Sequence, residues 1–377
     1  MTPLRIHILY EHGSDLRPFG SAYIRLLRPL THPVFRDYFE VTADRVYDGT
    51  PVDAVIVDRL WRPDVCRAAV EHLRELTRQS GVRLFHAIDD NLLALATAPK
   101  DWLFTKDQMD ALDYLIPNVD GMIVTTPALK EQLAIYNDNI AVVPNLLDER
   151  LLDDYKGGMA GDLSSIWGLS WKHISRNVRR FLHHAGRKRV TIGYMGTFTH
   201  DDDLLMILPA LHKIFRRYGN IVYLVVLGVA AYSETLASLA ELPVHLICLK
   251  PQQSEYPHFM RWFSQRVFWD IAISPLCDDD FNRCKSDIKF LDYSAIGAAG
   301  IYSRVPAYMG SVVHGETGWL AENTTEAWVE ALETLILDAS LRRRIAFNAR
   351  QYLYAERIVA RAARYWIDAF ESLLTQR

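Results

Sequence analysis

The sequence predicts an α/β architecture of two doubly wound, parallel-sheet domains, and three observations lead there. The chain has 377 residues, which suits two domains at roughly 100–200 residues each. Short apolar runs rich in β-branched residues alternate with helix-length stretches, the pattern of right-handed βαβ units. The alternation breaks off at a Gly-rich, basic stretch and then starts again. The expected division is a first α/β domain over 1–150, a basic linker or insertion over 151–189, a second α/β domain over 190–354, and a last helix over 355–377.

In the first half the predicted strands are Leu4–Tyr10, Val52–Asp58, Val82–Asp89, Gly121–Thr126 and Ile140–Asn145. Each is a short apolar run of the kind that is buried on both faces in a parallel sheet. The predicted helices between them are Ser21–Leu30, Pro63–Ser80, Thr105–Leu115 and Pro127–Tyr136. In the second half the strands are Val190–Gly196, Ile221–Gly228, Val244–Leu249 and Asp270–Leu276, with short extended pieces at Gly300–Tyr302 and Gly318–Leu320. The helices are Asp203–Tyr218, Ser233–Ala240, Tyr256–Gln265, Asp287–Ile296, Thr325–Leu337, Leu341–Tyr352 and Ala355–Leu374. The connecting stretch carries KGGMAGD and then seven Lys or Arg with no acid from Lys172 to Arg189. With Trp167 and Trp171 it reads either as an amphipathic helix for an anionic membrane surface, Trp167–Arg189, or as a linker helix with a solvated basic face.

Composition narrows the function classes. Half the residues are apolar, and 42 basic residues against 46 acidic give a net charge of −4, so no basic excess points to nucleic acid. Cys66, Cys248, Cys277 and Cys284 form no CxxC pair, which argues against a disulfide framework or a zinc ribbon and for a reducing cytosol. The first apolar run is too short for a signal peptide, and no run approaches the ~20 residues that span a bilayer. The expected location is cytoplasmic, including the inner face of the membrane.

In doubly wound sheets, ligands bind beyond the carboxyl ends of the strands. After the strand at 190 comes Gly196-Thr197-Phe198-Thr199-His200, then Asp201 to Asp203. The glycine and hydroxyls suit a phosphate at a helix start, while the acids suit a helix N-terminus. After Asp270–Leu276 come Asn282, Lys285, Ser286, Lys289 and Asp292, with Ser286 a natural N-cap and Lys289 and Asp292 three apart on one helix face. A cation beside exposed N–H groups suits a diphosphate, and a carboxylate one turn on suits vicinal ribose hydroxyls. The alternative is a surface helix with an ordinary Lys–Asp pair. Likewise a metal reading of the Asp runs competes with helix capping, and none is assigned.

Taken together, IGYMGTFTHDDD, then DIAISPL with FNRCKSDIKFLDYSAIG, then HGETGWLAENTTEAWVEAL, resemble the nucleotide-binding half of GT-B glycosyltransferases, closest to the retaining family 4. VDGMIVTTPALKEQL followed by IAVVPNLLD resembles the first-half passage of the same family. The resemblance implies two Rossmann-like domains facing a cleft, with the final helix crossing back onto the first. It implies transfer from a nucleotide-diphosphate sugar with retention, without an essential metal or a tightly bound cofactor. Gly196, Thr197, Thr199, His200, Asn282, Lys285, Ser286, Lys289 and Asp292 are then donor-binding candidates, with Lys285 at the diphosphate and Asp292 in the place of the second glutamate of an E-x7-E pair. Cys284 stands where the first glutamate would be. Gly13, Arg17, Gly20, Ser21 and Asp90 become acceptor-side candidates, and Lys285, His86 and Asp89 the catalytic ones. The implied acceptor is a saccharide or lipid-linked saccharide, as in bacterial surface polysaccharide or glycan synthesis. A non-catalytic sugar-nucleotide or glycan-binding module, or an epimerase or hydrolase on the same fold, is the alternative.

Overall fold

The computed structural model describes residues 2–97, 104–152, 189–196, 201–228, 237, 239, 241–249 and 255–375. They form two compact units, one of Met1–Asp148, Asp278–Ile288 and Ala355–Arg377, the other of Glu149–Cys277 and Lys289–Tyr354. The expected 190–354 domain is thus divided: residues 278–288 belong with the first unit. The basic stretch 153–188 and the expected helix around 233–240, apart from 237 and 239, lie outside the described residues.

The first unit holds a six-stranded parallel sheet of order β2-β1-β3-β4-β5-β6. The strands are β1 (Leu4–Leu9), β2 (Phe39–Asp44), β3 (Ala54–Asp58), β4 (Arg83–Ile88), β5 (Gly121–Val124) and β6 (Ile140–Val142). Strand periodicity of two sorts their side chains onto two faces. Leu9, Val55, Val57, Leu84 and Ile88 pack with Val70, Leu73, Leu112 and Leu115 of the helices Arg67–Gln79 and Lys106–Asn118. Ile6, Ile8, Ile56, Phe85 and Ala87 pack with Phe35, Trp366, Phe370 and Leu373. The C-terminal helix Arg364–Thr375 therefore supplies much of the second face and packs on β5 and β6.

Three local features differ from expectation. Strand β2 was not anticipated, because it is an edge strand burying only Phe39 and so shows no apolar run. The expected helix Ser21–Leu30 contains a π-helical stretch, Tyr23–Leu27, before Arg28–Leu30. Pro29 has no N–H to offer the Arg25 carbonyl one α-turn back, and a wider turn relieves the clash of its ring there. The expected helix Ala355–Leu374 is broken into Val359–Ala362 and Arg364–Thr375. Ala355 and Glu356 end the preceding helix, and the next residues bridge Leu147: Leu147 N–H donates to the Arg357 carbonyl at 2.9 Å and Val359 N–H to the Leu147 carbonyl at 3.0 Å.

The second unit repeats the plan with the order β12-β11-β10-β7-β8-β9. Its strands are β7 (Val190–Met195), β8 (Val222–Leu227), β9 (Val244–Ile247), β10 (Ile271–Ser274), β11 (Ala299–Ser303) and β12 (Trp319–Ala321). The helix Asp201–Tyr218 buries Leu204, Ile207, Leu211 and Ile214 in a core shared with Trp328, Leu332 and Leu335 of the helix Thr325–Leu337. Gly193, in the middle of β7, lies flat against the Trp269 ring: a Cβ there would sit 1.8 Å from the indole. Trp269 is itself wedged edge-on between Phe263 and Tyr293 and cannot retreat. Gly193→Ala is expected to destabilise the unit by at least ~3 kcal/mol, the upper end of overpacking costs. Gly310→Ala, where a Cβ would meet nothing within 4 Å, is the control, expected to fall within ~0.5 kcal/mol. Urea midpoints of the two variants check this.

Candidate active site

In each sheet the strand order reverses at one point, between β1 and β3 in the first unit and between β7 and β10 in the second. Loops diverge there and leave room for a ligand at the carboxyl ends. In the first unit Glu11 follows β1, Asp58 ends β3 with Arg59 after it, and Asp89 and Asp90 follow β4. These residues converge. The Arg59 guanidinium donates through Nε to Glu11 Oε2 at 2.8 Å and through Nη1 to Asp90 Oδ2 at 3.2 Å and to Asp89 Oδ1. The other Asp89 oxygen accepts from Ser21 Oγ at 2.7 Å. Asp58 Oδ2 accepts from the Glu11 N–H at 3.0 Å.

The environment separates these acids. Burial pushes the Asp58 carboxyl well above the usual carboxylate range, and the neighbouring Glu11 charge pushes it further. Burial also raises Glu11, against the pull of Arg59. Burial opposes the Asp89 charge too, but the Arg59 cation and the Ser21 hydrogen bond outweigh it and hold Asp89 below the usual range. Asp89 is therefore a fixed anion with both oxygens engaged, a poor proton acceptor. Asp90 is the most open of the three carboxylates on Arg59, its side chain 26% exposed.

His86, expected as a catalytic residue, is enclosed in the first unit. It is 0% exposed and shares the sheet face of Leu84 and Ile88, beneath the helices of that side. Its Nε2 is 2.9 Å from the Arg59 carbonyl, and burial lowers its pKa to about 4, so it is neutral at pH 7 and Nε2 carries the donated proton. Among the acceptor-side candidates, only Ser21 and Asp90 join the Arg59 cluster. Gly13 backs onto the Phe19 ring, Arg17 sits in an exposed turn with its N–H on Asp15 Oδ1, and Gly20 opens the helix with free space beside it.

The segment 278–288 is anchored in the first unit. Thr126 Oγ1 donates to the Cys284 carbonyl at 2.9 Å, and Asn145 Nδ2 to Ser286 Oγ at 2.7 Å. Arg357 forks onto Asp287 at 2.6 and 2.9 Å. Ser286 is thereby engaged by Asn145, and the helix begins at Ile288. Asn282 is tied to Asp279, its Nδ2 2.9 Å from Oδ2. Cys284 is 2% exposed within the apolar layer of the first sheet. A carboxylate at that position would lose its hydration without a cation to replace it. Lys285 Nζ stands 3.9 Å from Asp90 Oδ1 and 4.5 Å from the centre of the Phe281 ring.

In the second unit Gly196 follows β7, its N–H on the Leu227 carbonyl at 3.1 Å. A Cβ on Gly196 would meet the Tyr194 hydroxyl at 2.6 Å, and one on Gly228, which has φ +84°, the Gly196 carbonyl at the same distance. Two adjacent strand ends thus approach so closely that only glycine fits. Thr197, Thr199 and His200 lie outside the described residues. Residues 289 to 296 of the helix Ile288–Ile296 are all buried. Lys289 Nζ lies 5.5 Å from the Tyr194 ring centre, and Asp292 receives Tyr256 Oη at 3.5 Å. Burial raises the Asp292 carboxyl to about 7. The acids expected to compete for a metal have protein partners: Asp203 accepts the Cys277 N–H at 2.6 Å, and Asp278 pairs with Arg283.

Reading the residues after each strand singled out Asp89 and Asp90 but passed over Glu11 and Arg59. The signal was there, since VIVDRL ends β3 with a charged pair of the same kind as IDD after β4.

No protein-family model and no curated protein matches the chain. Solved structures do. Anabaena HepE, in complex with UDP and glucose, is 13% identical with a TM-score of 0.62, covering 98% of this chain and 100% of that one. A glycosyltransferase from Rickettsia africae is 11% identical with a TM-score of 0.60, covering 100% of both chains. Sucrose-phosphate synthase from Thermosynechococcus elongatus is 12% identical with a TM-score of 0.57, covering 85% of this chain and 74% of that one. The chain has the GT-B fold. Among the described residues, no helix is long and apolar enough to cross a membrane.

Proposed function

We propose that this chain is a glycosyltransferase that moves a sugar from a nucleotide-diphosphate donor to a saccharide hydroxyl with retention. The observation carrying this reading is the chemistry at the second unit's strand-order reversal, where a glycine-only approach at Gly196, after β7, stands in the same unit as the buried Asp292 of the helix that follows β10. The likeness of fold to HepE, which binds UDP and glucose, supports a uridine donor. In this reading Asp292 accepts the ribose hydroxyls, the phosphates lie against the Gly196 turn with Lys289, and Lys285 neutralises the charge that develops as the diphosphate leaves. The bond from the anomeric carbon to the phosphate oxygen breaks with its electron pair going to the diphosphate. The acceptor oxygen bonds to that carbon from the same face, and its proton passes to the departing phosphate oxygen. No carboxylate nucleophile is required, which agrees with the buried, uncharged Cys284 and the fully engaged Asp89. The acceptor is a saccharide or lipid-linked saccharide, as in surface-glycan assembly, with the basic segment Trp167–Arg189 a membrane contact.

The test is a thermal-shift screen with UDP, dTDP, GDP and ADP, with manganese and with EDTA. A ligand at 100 times its Kd adds about 2.7 kcal/mol and raises the melting temperature visibly. A metal-independent shift with UDP is expected; no shift with any of the four would overturn the reading. The pH dependence is also fixed in sign. Asp292 accepts ribose hydroxyls best when ionised, and it is largely protonated below about pH 7. Affinity for the nucleotide is therefore expected to rise about tenfold from pH 6 to pH 8, and Asp292→Asn to flatten that rise, as measured by calorimetry.

The buried Cys284 favours a second reading, a non-catalytic module that binds sugar nucleotide. Such a module would show the thermal shift but release no nucleotide diphosphate from any donor with any acceptor.

A further inference from the structure

Arg59 has an unusual backbone. Among the described residues, three non-glycine positions adopt a positive φ: Leu16 at 63°, Arg59 at 48° and Trp61 at 63°. All three lie in loops after β1 and β3, at the strand-order reversal of the first unit. A non-glycine residue held in this region is strained, and such strain persists where the surroundings over-determine it. For Arg59 they do. The His86 Nε2–H bonds its carbonyl, its N–H bonds the Ala87 carbonyl at 2.9 Å, and the turn closes through the Trp61 N–H on the Asp58 carbonyl at 2.8 Å.

His86 is hard to explain by packing. Its Nδ1 is buried without a hydrogen-bond partner, in a layer of leucine, valine and isoleucine. A phenylalanine would fill that space and leave no orphaned nitrogen. What a phenylalanine could not do is donate to the Arg59 carbonyl. The bent backbone turns the Arg59 side chain toward three carboxylates from two other strand ends: Glu11 after β1, and Asp89 and Asp90 after β4.

We propose that His86 and Arg59 form a positioning pair: His86 holds the left-handed turn, and Arg59 through it sets the orientation of Asp89 and Asp90, leaving Asp90 to receive the acceptor saccharide hydroxyl. The acceptor role rests on the glycosyl-transfer reading; the positioning role does not. Asp90 fits because one oxygen is fixed by Arg59 and the other faces Lys285 Nζ at 3.9 Å, while Asp89 has no oxygen to spare. The groups that face these acids are Glu11, Asp58 and Arg59 from the β1 and β3 ends, Ser21 and Arg25 from the helix at 20–30, and Lys285 from segment 278–288.

Carboxyl carbon NMR titrations of full-length wild type, His86→Leu, His86→Gln and Arg59→Lys decide the positioning role without any substrate. Gln places an amide N–H near the site of His Nε2, so His86→Gln is expected to match wild type. In His86→Leu and Arg59→Lys the Asp89 titration should move upward by at least one pH unit. An unmoved Asp89 in a folded His86→Leu protein, or an equal shift in His86→Leu and His86→Gln, would overturn the pair. If His86→Leu does not fold, Arg59→Lys and His86→Gln still decide it. The acceptor role is read with UDP-glucose and glucose as probes, beside UDP calorimetry. Arg59→Lys and Asp90→Asn should raise the acceptor KM at least tenfold and leave the Kd for UDP within twofold. A weakened Kd for UDP with an unchanged acceptor KM would overturn the acceptor role. Absent UDP binding and turnover in wild type would overturn the uridine-donor reading, and with it the acceptor role, leaving the titrations to judge the pair.

Discussion

Lys285→Ala is expected to lower kcat by about 10²–10³-fold, the usual consequence of removing one preorganised group from a developing oxyanion. Lys285 extends from the segment that runs directly into the helix carrying Lys289 and Asp292, the residues proposed to hold the donor. Its surroundings keep it in place: the ammonium rests against Phe281, and its nearest carboxylate, Asp90 at 3.9 Å, is already shared with Arg59. The same geometry limits what the mutation does to folding. A pair this long and only partly desolvated contributes at most ~1 kcal/mol, so the melting temperature should barely move. Lys285→Arg should restore part of the rate. Kinetics on the donor identified by nucleotide binding, with unfolding curves alongside, separate the two effects. Full retention of kcat by the alanine variant would remove Lys285 from the mechanism.

Arg357→Ala is expected to destabilise the protein by about 3–5 kcal/mol. Both partners of the Arg357–Asp287 pair are 7% exposed, both oxygens of Asp287 accept from the guanidinium, and Arg357 Nη2 also donates to the Asn145 carbonyl at 3.0 Å. Truncating Arg357 strands a buried carboxylate, and truncating Asp287 strands a buried guanidinium, so Asp287→Ala should cost about as much. The double replacement Arg357→Met with Asp287→Leu should recover most of the loss, because what each single deletion leaves behind is an unpaired charge. Urea unfolding of the three variants gives the comparison; single losses below ~1 kcal/mol would contradict it. This pair also secures segment 278–288, so proteolytic cleavage near residue 283 should accelerate in Arg357→Ala.

Much of the fold is legible in the order of residues. Among the described residues, eleven of the twelve strands carry short apolar runs, most of them buried on both faces (β9 buries none of its residues), and the twelfth, β2, is an edge strand that buries only Phe39. The helix Thr325–Leu337 is found where its pattern places it, with Thr324 accepting the Ala327 N–H as its cap. The break at Arg357 and Ile358 was not legible. It arises from pairing with Leu147, more than two hundred residues earlier, and no local pattern encodes a partner that distant.

The site divides in the same way. Strand-end reasoning reached Gly196, because a parallel sheet delivers its polar residues where its strands stop, and the family resemblance reached Ser21, Asp89 and Asp90. It misassigned the local surroundings of others. Ser286 reads as a helix cap, but its hydroxyl is held by Asn145. The resemblance makes His86 a catalytic candidate, but alternation turns it to the apolar face, where its Nε2 bonds the Arg59 carbonyl.

What this sequence determines by itself is the local chemistry of the chain. It sets which runs bury as strands, which stretches coil as helices, and which charged residues stand at strand ends, since those follow from side-chain periodicity and backbone hydrogen bonding. What only the tertiary structure decided is which of those charges neutralise one another. Arg59 collects Glu11, Asp89 and Asp90 from two other strand ends, and Arg357 collects Asp287 from seventy residues away. A buried charge is stable only against its partner, and the fold, which brings distant residues within a few ångströms, chooses that partner.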